Sequence, residues 1–426
     1  MILRLTNVGR LKEAEVKIDG LTVICGKNNT GKSTIGKVLF CVFDSFHDIN
    51  NSIREEKLFS LRSYLVRRAS SYRMITDFFR GSGYKKLIEI IENEKISDEE
   101  IRNSFAPFFR HSEEGDMPHT IESFLSQIHK IRDLSDIQIL TSFLERRISS
   151  EFDGKLGNLN HSRKRTKVEL IIKNNPISFY TVGMSPTITI NSFYSLDKNL
   201  VYLDDPFLID QIDVSPELTS YYYGFSHRER MARLIAHGRL EPNKTVIDEI
   251  LLNNRVGAIL EKINEISNGE LIVKNGQFLY HHSGLKSNLG ISSVSTGVKA
   301  FIIIKELIMN GSLEENGILV LDEPEVHLHP EWQIQFAEII VLIQKAFNLN
   351  IVLTTHSMDF LSSIVHYSKK YEIERKCNYY LTDLVDDGKK EKSFPLSQLK
   401  PMNSNLDSLF ASVSEPYLRL YKEMND

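Results

Sequence analysis

The stretch GKNNTGKST, residues 26–34, restricts the fold of this 426-residue chain more than any other feature of its sequence. It matches the spacing G-x-x-x-x-G-K-[ST] and has the neighbours that this motif requires. The apolar run LTVIC at 21–25 predicts a buried strand before it, and the run KSTIGKVLF predicts a helix after it. Together they predict an α/β fold with a phosphate-binding loop. The fixed positions are Gly26, Gly31, Lys32 and Ser33.

The chemistry of this loop assigns roles to its side chains. Glycines let consecutive backbone N–H groups turn towards a phosphate, and the helix presents its positive end to the same anion. Lys32 is predicted to reach the β- and γ-phosphates, the Ser33 hydroxyl to ligate Mg²⁺, and the Thr34 hydroxyl to bond the α-phosphate. A glycine-rich turn with a chance lysine is disfavoured because every fixed position and both flanks are present. The predicted nucleotide-binding residues are Gly26, Asn28, Asn29, Thr30, Gly31, Lys32, Ser33 and Thr34.

A second half of the same site is predicted in GILVLDEP, residues 317–324. Its apolar run predicts a buried strand, and ligands of open α/β sheets bind at the carboxyl ends of strands. Asp322 stands at that end and is predicted to hold Mg²⁺, while Glu323 is predicted to act on a water in line with the γ-phosphate. The later run IVLTTHS predicts a third strand that ends near His356, a candidate γ-phosphate sensor. The predicted catalytic residues are Lys32, Glu323 and His356, and the predicted cofactors are ATP and Mg²⁺.

Two neighbouring features leave alternatives open. NLVYLDDP, residues 199–206, also ends an apolar run in two acids, Asp204 and Asp205, and is an alternative magnesium strand. We favour it as another strand of the same sheet that leads into a loop. Glu325, His327 and His329 closely follow Asp322 and Glu323, and a His-x-His pair with nearby carboxylates can bind one metal ion. A metal-dependent hydrolase is therefore a further hypothesis, though a weaker one.

Ser295, Thr296 and Gly297 precede an apolar helix in SSVSTGVKAFIIIKELI. This segment resembles the signature motif of ABC-type ATPases, which binds the γ-phosphate held by the opposite subunit. The order of the motifs is also that of the ABC superfamily. The resemblance implies a P-loop NTPase fold of ABC ATPase type, with a mixed sheet flanked by helices and an inserted helical subdomain. It further implies a head-to-tail homodimer or higher oligomer around Mg-ATP, with His329 at the interface position of the D-loop.

GKNNTGKST, DEPEVHLHPEWQ and LTTHSMDFL resemble more narrowly the SMC/RecF/OLD-like branch, which includes AAA-type ATPases of bacterial anti-phage defence operons. The resemblance implies ATP hydrolysis by a sensor or regulatory subunit that controls a separately encoded effector, a nuclease or toxin. The TOPRIM nuclease domain of OLD nucleases is not expected in the segment after His356. No glutamine marks a Q-loop near 194–206, so that contact stays unassigned. The alternative is a RecF- or SMC-like DNA repair ATPase that binds DNA directly.

The remaining patterns predict the organisation of the chain. An ABC-type ATPase head is expected over 1–40 and 156–385, an inserted helical subdomain over 41–155, and a C-terminal hairpin and helix tail over 386–426. A two-residue turn is predicted at Asn275-Gly276, and a hairpin is predicted around Asp386-Asp387-Gly388.

Basic residues concentrate within the predicted insertion, where aromatic residues interleave with them. Such a patch can contact phosphates and stack on bases, although a solvated helix face is the more ordinary explanation. Binding of DNA through the insertion therefore stays open, and a shorter basic run at 163–167 is interpreted in the same way. The basic residues of the patch are Arg62, Arg67, Arg68, Arg73, Arg80, Lys85 and Lys86.

Composition limits the remaining possibilities. The net charge of −4 means that any contact with nucleic acid must come from a local patch. The three cysteines are scattered and form no CxxC pair, which favours a reducing compartment. No apolar run is long enough to span a membrane, and the N-terminal segment alternates like strands rather than a signal peptide. We expect a cytoplasmic protein with no membrane partner.

Overall fold

The computed structural model describes residues 1–67, 81–93, 95–109, 121–158, 164–182, 187–212, 226–240, 246–282, 284–385 and 396–424. These residues form two compact units, which are described separately. The first comprises Met1–Ser45 and Leu144–Asp426, and the second comprises Phe46–Phe143. The second unit falls within the segment 41–155 that the sequence marks as an insertion.

The strands of the first unit form two sheets. The larger has 11 strands in the order β6-β5-β4-β1-β2-β14-β13-β3-β12-β11-β7, and the smaller has three in the order β10-β9-β8. The strands are β1 (Ile2–Val8), β2 (Leu11–Lys17), β3 (Leu21–Gly26), β4 (Arg165–Ile172), β5 (Asn175–Val182), β6 (Ile188–Ser192), β7 (Leu200–Leu203), β8 (Gly269–Lys274), β9 (Gln277–His282), β10 (Leu289–Gly290), β11 (Ile318–Asp322), β12 (Asn350–Thr355), β13 (Cys377–Val385) and β14 (Leu396–Pro401).

The helices follow the apolar spacing of the sequence. They are α1 (Lys32–Phe46), α2 (Ile49–Val66), α3 (Gly83–Glu92), α4 (Asp98–Phe109), α5 (Ile121–Arg132), α6 (Asp136–Phe152), α7 (His227–Leu240), α8 (Val246–Ile266), α9 (Thr296–Met309), α10 (Pro330–Phe347), α11 (Met358–Lys370) and α12 (Leu406–Glu423). In the part of the chain described, none of them is long and apolar enough to cross a membrane.

Five adjacent strands of the large sheet, β13, β3, β12, β11 and β7, run parallel to one another. β3 and β12 are buried along most of their length, because helices cover both faces of a parallel sheet and each strand must be apolar on both. Antiparallel strands extend the sheet beyond β2. This mixed sheet flanked by helices confirms the predicted fold class.

Parallel pairing brings the predicted site together. β12 lies between β3 and β11, with Thr354 opposite Asp322 and Thr355 opposite Cys25. The carboxyl ends of these three strands therefore meet at one edge of the sheet, where α/β proteins bind ligands. β7 pairs in parallel with β11, so NLVYLDDP does form another strand of the same sheet.

The predicted turn at Asn275-Gly276 is confirmed. β8 and β9 pair with Lys274 opposite Gln277, and both turn residues have positive φ angles of 53° and 73°, as a type I′ turn requires. The predicted turn at 386–388 lies outside the described residues. The flanking strands β13 and β14 pair antiparallel, and β14 occupies an interior place in the large sheet, beside β2. The segment 386–426 thus contributes directly to the sheet.

The second unit consists of helices around its own small core. Leu61, Phe105 and Phe124 are among its most deeply buried side chains. Tyr64, one of the aromatic residues interleaved with the basic patch, is buried in that core, whereas Tyr84 is exposed. Arg68, Arg73 and Arg80 lie outside the described residues.

Candidate functional site

The phosphate-binding loop begins where β3 ends. Gly26 has a φ of 150°, and a Cβ added there would lie 2.0 Å from the hydroxyl oxygen of Thr382 on the neighbouring β13. Gly31 has a φ of 91°, which favours glycine. The Thr30 hydroxyl donates to the carbonyl of Lys27 at 2.7 Å and lies 2.6 Å from the Thr382 hydroxyl. These contacts fasten the loop to the sheet, while Asn28 and Asn29 at its tip are exposed.

Lys32 is the first residue of α1, and its side chain is 3% exposed. Its ammonium donates to the carbonyl oxygens of Gly26 at 3.0 Å and Lys27 at 3.1 Å. It also lies 3.1 Å from Oε1 of Glu323. The lysine therefore folds back over the loop and reaches the acid at the end of the strand two places away in the sheet. Ser33 and Thr34 follow it in the first turn of the helix.

Asp322 is held through both carboxylate oxygens. Oδ1 accepts a short hydrogen bond from the Thr354 hydroxyl, and Oδ2 accepts one from the Tyr202 hydroxyl at 3.2 Å. Burial among carboxylates raises the pKa of Tyr202 well above its usual value, so the phenol remains a donor. These contacts come from the strands on either side of β11.

Glu323 lies in a strained backbone position. Its φ is 50°, in the left-handed region that side chains other than glycine adopt rarely. Its backbone N–H donates to the Thr354 carbonyl at 3.1 Å and the Thr354 hydroxyl at 3.0 Å, which fixes this turn. The carboxylate consequently points towards Lys32 on one side, and Oε2 lies 3.5 Å from Nδ1 of His356 on the other.

His356 follows β12 and is anchored by a buried acid. Its backbone N–H donates to Oε1 of Glu325 at 3.2 Å, and the Thr355 hydroxyl donates to the same oxygen at 2.5 Å. Burial raises the pKa of Glu325, although these hydrogen bonds oppose the shift. Ser357 caps α11 and donates to Gln333 of α10 at 3.0 Å, which ties the histidine turn to the next helix.

The signature-like segment begins α9. Ser295 is the N-cap residue and is exposed, and its side chain makes no capping hydrogen bond within the described residues. Gly297 is buried, and a Cβ added there would lie 2.9 Å from the Trp332 ring. Thr296 stands between them, so the segment presents a hydroxyl edge to solvent. Buried Lys299 lies 2.8 Å from Asp210 and stabilises the start of the helix.

The side chains considered for a metal centre point to different partners. His327 packs edge-on against Phe207, His329 accepts a bond from the Glu331 N–H as the N-cap of α10, and Glu325 turns inwards to Thr355. The described ranges contain no group of three or more His, Cys, Asp or Glu side chains placed to hold a metal ion. A hydroxyl from Ser33 and a carboxylate from Asp322 are, by contrast, the hard oxygen donors that Mg²⁺ prefers beside phosphates.

A cavity of about 590 Å³ lies beside the loop, between it, the end of β13 and α12. Lys27 of the loop and Glu415 of α12 form an exposed ion pair of 2.8 Å across its edge. His356, one of the predicted catalytic residues, also lines this cavity.

Residues 1–361 match a family model described as the AAA ATPase domain. The chain belongs to this family. The AAA ATPase domain therefore spans every residue assigned above to the phosphate loop, the acidic strand, the signature-like segment and His356. Membership of an ATPase family implies ATP as the nucleotide.

Other relatives of this AAA ATPase domain are more distant or partial. A probable ATPase of retron Vc95 from Vibrio cholerae serotype O1 biovar El Tor is 29% identical over 119 residues, covering 25% of this chain and 20% of the relative. The SMC head domain from Thermotoga maritima is 11% identical, with a TM-score of 0.37 and coverage of 94% and 97%. An ATP-binding cassette solved as a post-hydrolysis dimer with ADP and phosphate is 10% identical, with a TM-score of 0.33 and coverage of 92% and 98%.

Several residues of this ATPase site escaped the sequence patterns. Tyr202 and Thr354 contact the predicted residues, but each is chemically ordinary in its own segment. Only Thr354 had a local signal, since it precedes His356 in the LTTHS run. Glu325 was a candidate metal ligand in the sequence, and its contact with the His356 backbone was not predicted. Asp204, the first acid of NLVYLDDP, instead binds Arg228 at 2.7 Å and lies 3.0 Å from His227.

Proposed function

We propose that this protein binds Mg-ATP at residues 26–34 and hydrolyses it, with Glu323 as the general base. The observation that carries the proposal is the convergence of Lys32, Glu323 and His356, which are joined by contacts of 3.1 and 3.5 Å. They come from three neighbouring parallel strands and the loops at their carboxyl ends. A cation, a carboxylate and an imidazole at one point match the needs of attack by water on a γ-phosphate.

Each side chain has a distinct task in this proposal. The Lys32 ammonium can exchange its Glu323 contact for phosphate oxygens, because both lie at the mouth of the same loop. Glu323 then orients the attacking water and accepts its proton. His356 holds the γ-phosphate from the side of β12. Ser33 and Asp322 would hold Mg²⁺, which neutralises phosphate charge when bound.

The signature-like segment would complete the site of a second copy of the chain. Ser295 is exposed at a helix N-terminus, which is a ready position for binding an anion. Thr296 beside it is partly exposed, Gly297 is buried in the first turn, and His329 is exposed. We propose that these residues face the γ-phosphate bound by the partner, so that ATP joins two copies head to tail and hydrolysis separates them.

The biological setting that fits best is a sensor or regulatory subunit of an anti-phage defence system with a separate effector. The partial match to a retron ATPase supports this setting. Nucleotide-driven association would be the switch that controls the effector. Strong stimulation of the ATPase by duplex DNA, lost when Arg67, Arg68 and Arg73 are neutralised, would instead favour a role in DNA maintenance.

The decisive experiment compares the wild type with E323Q. We expect E323Q to lower the hydrolysis rate by roughly 10²–10⁴-fold, the range of a general base, while ATP still binds and holds a dimer during size-exclusion chromatography. Hydrolysis by E323Q at the wild-type rate would show that the base is another residue.

Complementation tests the shared site. In a head-to-tail dimer, K32A and S295R subunits are each inactive alone, but a mixed dimer contains one intact site. We therefore expect ATPase activity to reappear on mixing K32A with S295R. Mixing K32A with E323Q is the matched control, because Lys32 and Glu323 of a site come from the same subunit, so each site of that mixed dimer lacks one of the two. Failure of the first mixture to regain activity would contradict sharing in trans.

A further inference from the structure

A buried polar cluster packs against Tyr202, the residue that contacts the proposed magnesium ligand Asp322. Phosphate binding does not explain this cluster. His227, the first residue of α7, is 5% exposed, and Glu151 of α6 is 7% exposed. Nδ1 of His227 lies 2.8 Å from the Glu151 carboxylate, and its Nε2 lies 3.0 Å from Oδ2 of Asp204. The His227 backbone N–H also donates to Glu151 at 2.8 Å. Three ionisable groups are thus locked together inside the protein.

This cluster fixes the plane of the His227 ring. Glu151 and Asp204 contact opposite edges of the imidazole, and Arg228 holds Asp204 from outside at 2.7 Å. Burying such groups is costly unless each is paired, and here both carboxylates lie within ion-pair distance of the ring nitrogens. The face of the immobilised ring is covered by Tyr202, whose ring centroid lies 4.2 Å away at an interplanar angle of 21°.

Tyr202 links the cluster to the catalytic edge. It is 3% exposed, and its hydroxyl donates to Oδ2 of Asp322 at 3.2 Å. The close approach of α1 confines the same hydroxyl, since a Cβ added at Gly36 would lie 3.2 Å from it. The phenol is therefore held by a stacked ring on one side and by the phosphate-loop helix on the other, with its O–H aimed at the carboxylate.

We propose that Tyr202 is a positioning residue that orients the Asp322 carboxylate for Mg²⁺, and that His227 holds Tyr202 in place. The inference rests on the proposed function, because it takes Asp322 as a magnesium ligand. Thr354 binds one carboxylate oxygen and Tyr202 binds the other, so the group cannot rotate about its own axis. Hydrogen bonds of this kind orient metal ligands and raise metal affinity by roughly 10–100-fold.

The experiment measures binding of a fluorescent ATP analogue, mant-ATP, to the full chain at increasing Mg²⁺ and in EDTA. We expect Y202F to raise the Mg²⁺ concentration for half-maximal tightening by roughly 10-fold. Its affinity for mant-ATP in EDTA should stay within about twofold of the wild type, because the phenol hydroxyl bonds Asp322, whose proposed role requires the metal. Y280F, which changes a buried tyrosine of the three-stranded sheet, is the matched control and should leave both values unchanged.

H227Q provides a second variant that alters the stacking partner while Tyr202 keeps its hydroxyl. We expect a Mg²⁺ shift in the same direction as for Y202F but smaller. Unchanged Mg²⁺ dependence in Y202F, with a normal urea midpoint, overturns the proposal. Equal weakening with Mg²⁺ and in EDTA also overturns it, because the tyrosine would then support the fold of the loop in general. Failure of the wild type to bind mant-ATP in either condition would refute the proposed function itself.

Discussion

The Lys32 ammonium lies 3.1 Å from Oε1 of Glu323, although 290 residues lie between them in the chain. The Lys32 side chain is buried, whereas the Glu323 side chain is 28% exposed. Part of the Glu323 carboxylate therefore remains accessible to solvent. Lys32 is thereby placed to contact either the Glu323 carboxylate or a phosphate group of the nucleotide.

Removal of Lys32 should weaken ATP binding more than it weakens the fold. Charge-assisted hydrogen bonds contribute about 1.5–3 kcal/mol each, so we expect K32A to lower ATP affinity by roughly 10–100-fold. The partly exposed Glu323 loses its partner but can still be hydrated. Isothermal titration with ATP and Mg²⁺ measures the loss. K17A is the control, since the Lys17 side chain forms an exposed pair with Asp19 and K17A should bind ATP like the wild type.

Gly26 should tolerate no side chain. Alanine there would place its Cβ against both the hydroxyl and the carbonyl oxygen of Thr382, and we expect G26A to destabilise the protein by about 1–3 kcal/mol and to abolish ATP binding. Gly257 in α8 is the matched position, because a Cβ there meets nothing within 4 Å. G257A should instead stabilise by about 0.5–1 kcal/mol through helix propensity. Urea unfolding distinguishes the two, and equal effects would contradict the steric account.

Glu325 should act through its hydrogen bonds rather than its charge. Its raised pKa reflects burial, and its Oε1 accepts from the Thr355 hydroxyl and the His356 backbone. E325A leaves both donors buried without an acceptor, so we expect a loss of about 1–3 kcal/mol in unfolding free energy. E325Q retains an acceptor oxygen and should lose less than half as much. An equal loss in E325Q and E325A would show that the charge itself is required.

Asp204 should make stability depend on pH in the acid range. Burial favours a higher pKa for Asp204, but the nearby His227 and the Arg228 guanidinium that binds it outweigh burial and lower the pKa to about 2. A depressed folded pKa contributes stability above the ordinary value of 3.8, and that stability is lost as pH falls towards 2. We expect D204N to be about 2 kcal/mol less stable than the wild type at pH 7. In urea unfolding the difference should shrink below pH 4, and a constant difference would contradict the assignment.

Local sequence patterns were sufficient to predict the parts of the site that are formed by consecutive residues. GKNNTGKST predicts its own backbone shape because a glycine-rich turn and a helix N-terminus are made by neighbours in the chain. The Asn275-Gly276 turn was predictable for the same reason, since positive φ angles at two adjacent residues restrict their identity. The strand and helix patterns around this motif also predicted an α/β fold, whereas the mixed sheet was implied by the resemblance to ABC-type ATPases.

Contacts between strands distant in sequence could not be predicted in this way. Tyr202 and Thr354 reach Asp322 only because β7 and β12 lie on either side of β11, and strand order is a property of the whole sheet. The pairing of β14 with β2 could not be predicted either, because nothing in the short β14 sequence indicates which strand it pairs with.

The amino-acid sequence by itself determined the phosphate loop, the acidic strand and the histidine that follows the third strand, because each is encoded by residues that touch within one segment. Only the tertiary structure decided which other side chains position these three features. Glu325 turned inwards to anchor His356, and His227 joined Glu151 and Asp204 beneath Tyr202. Such arrangements depend on burial and strand order, which set the energy of a polar contact only after the chain has folded.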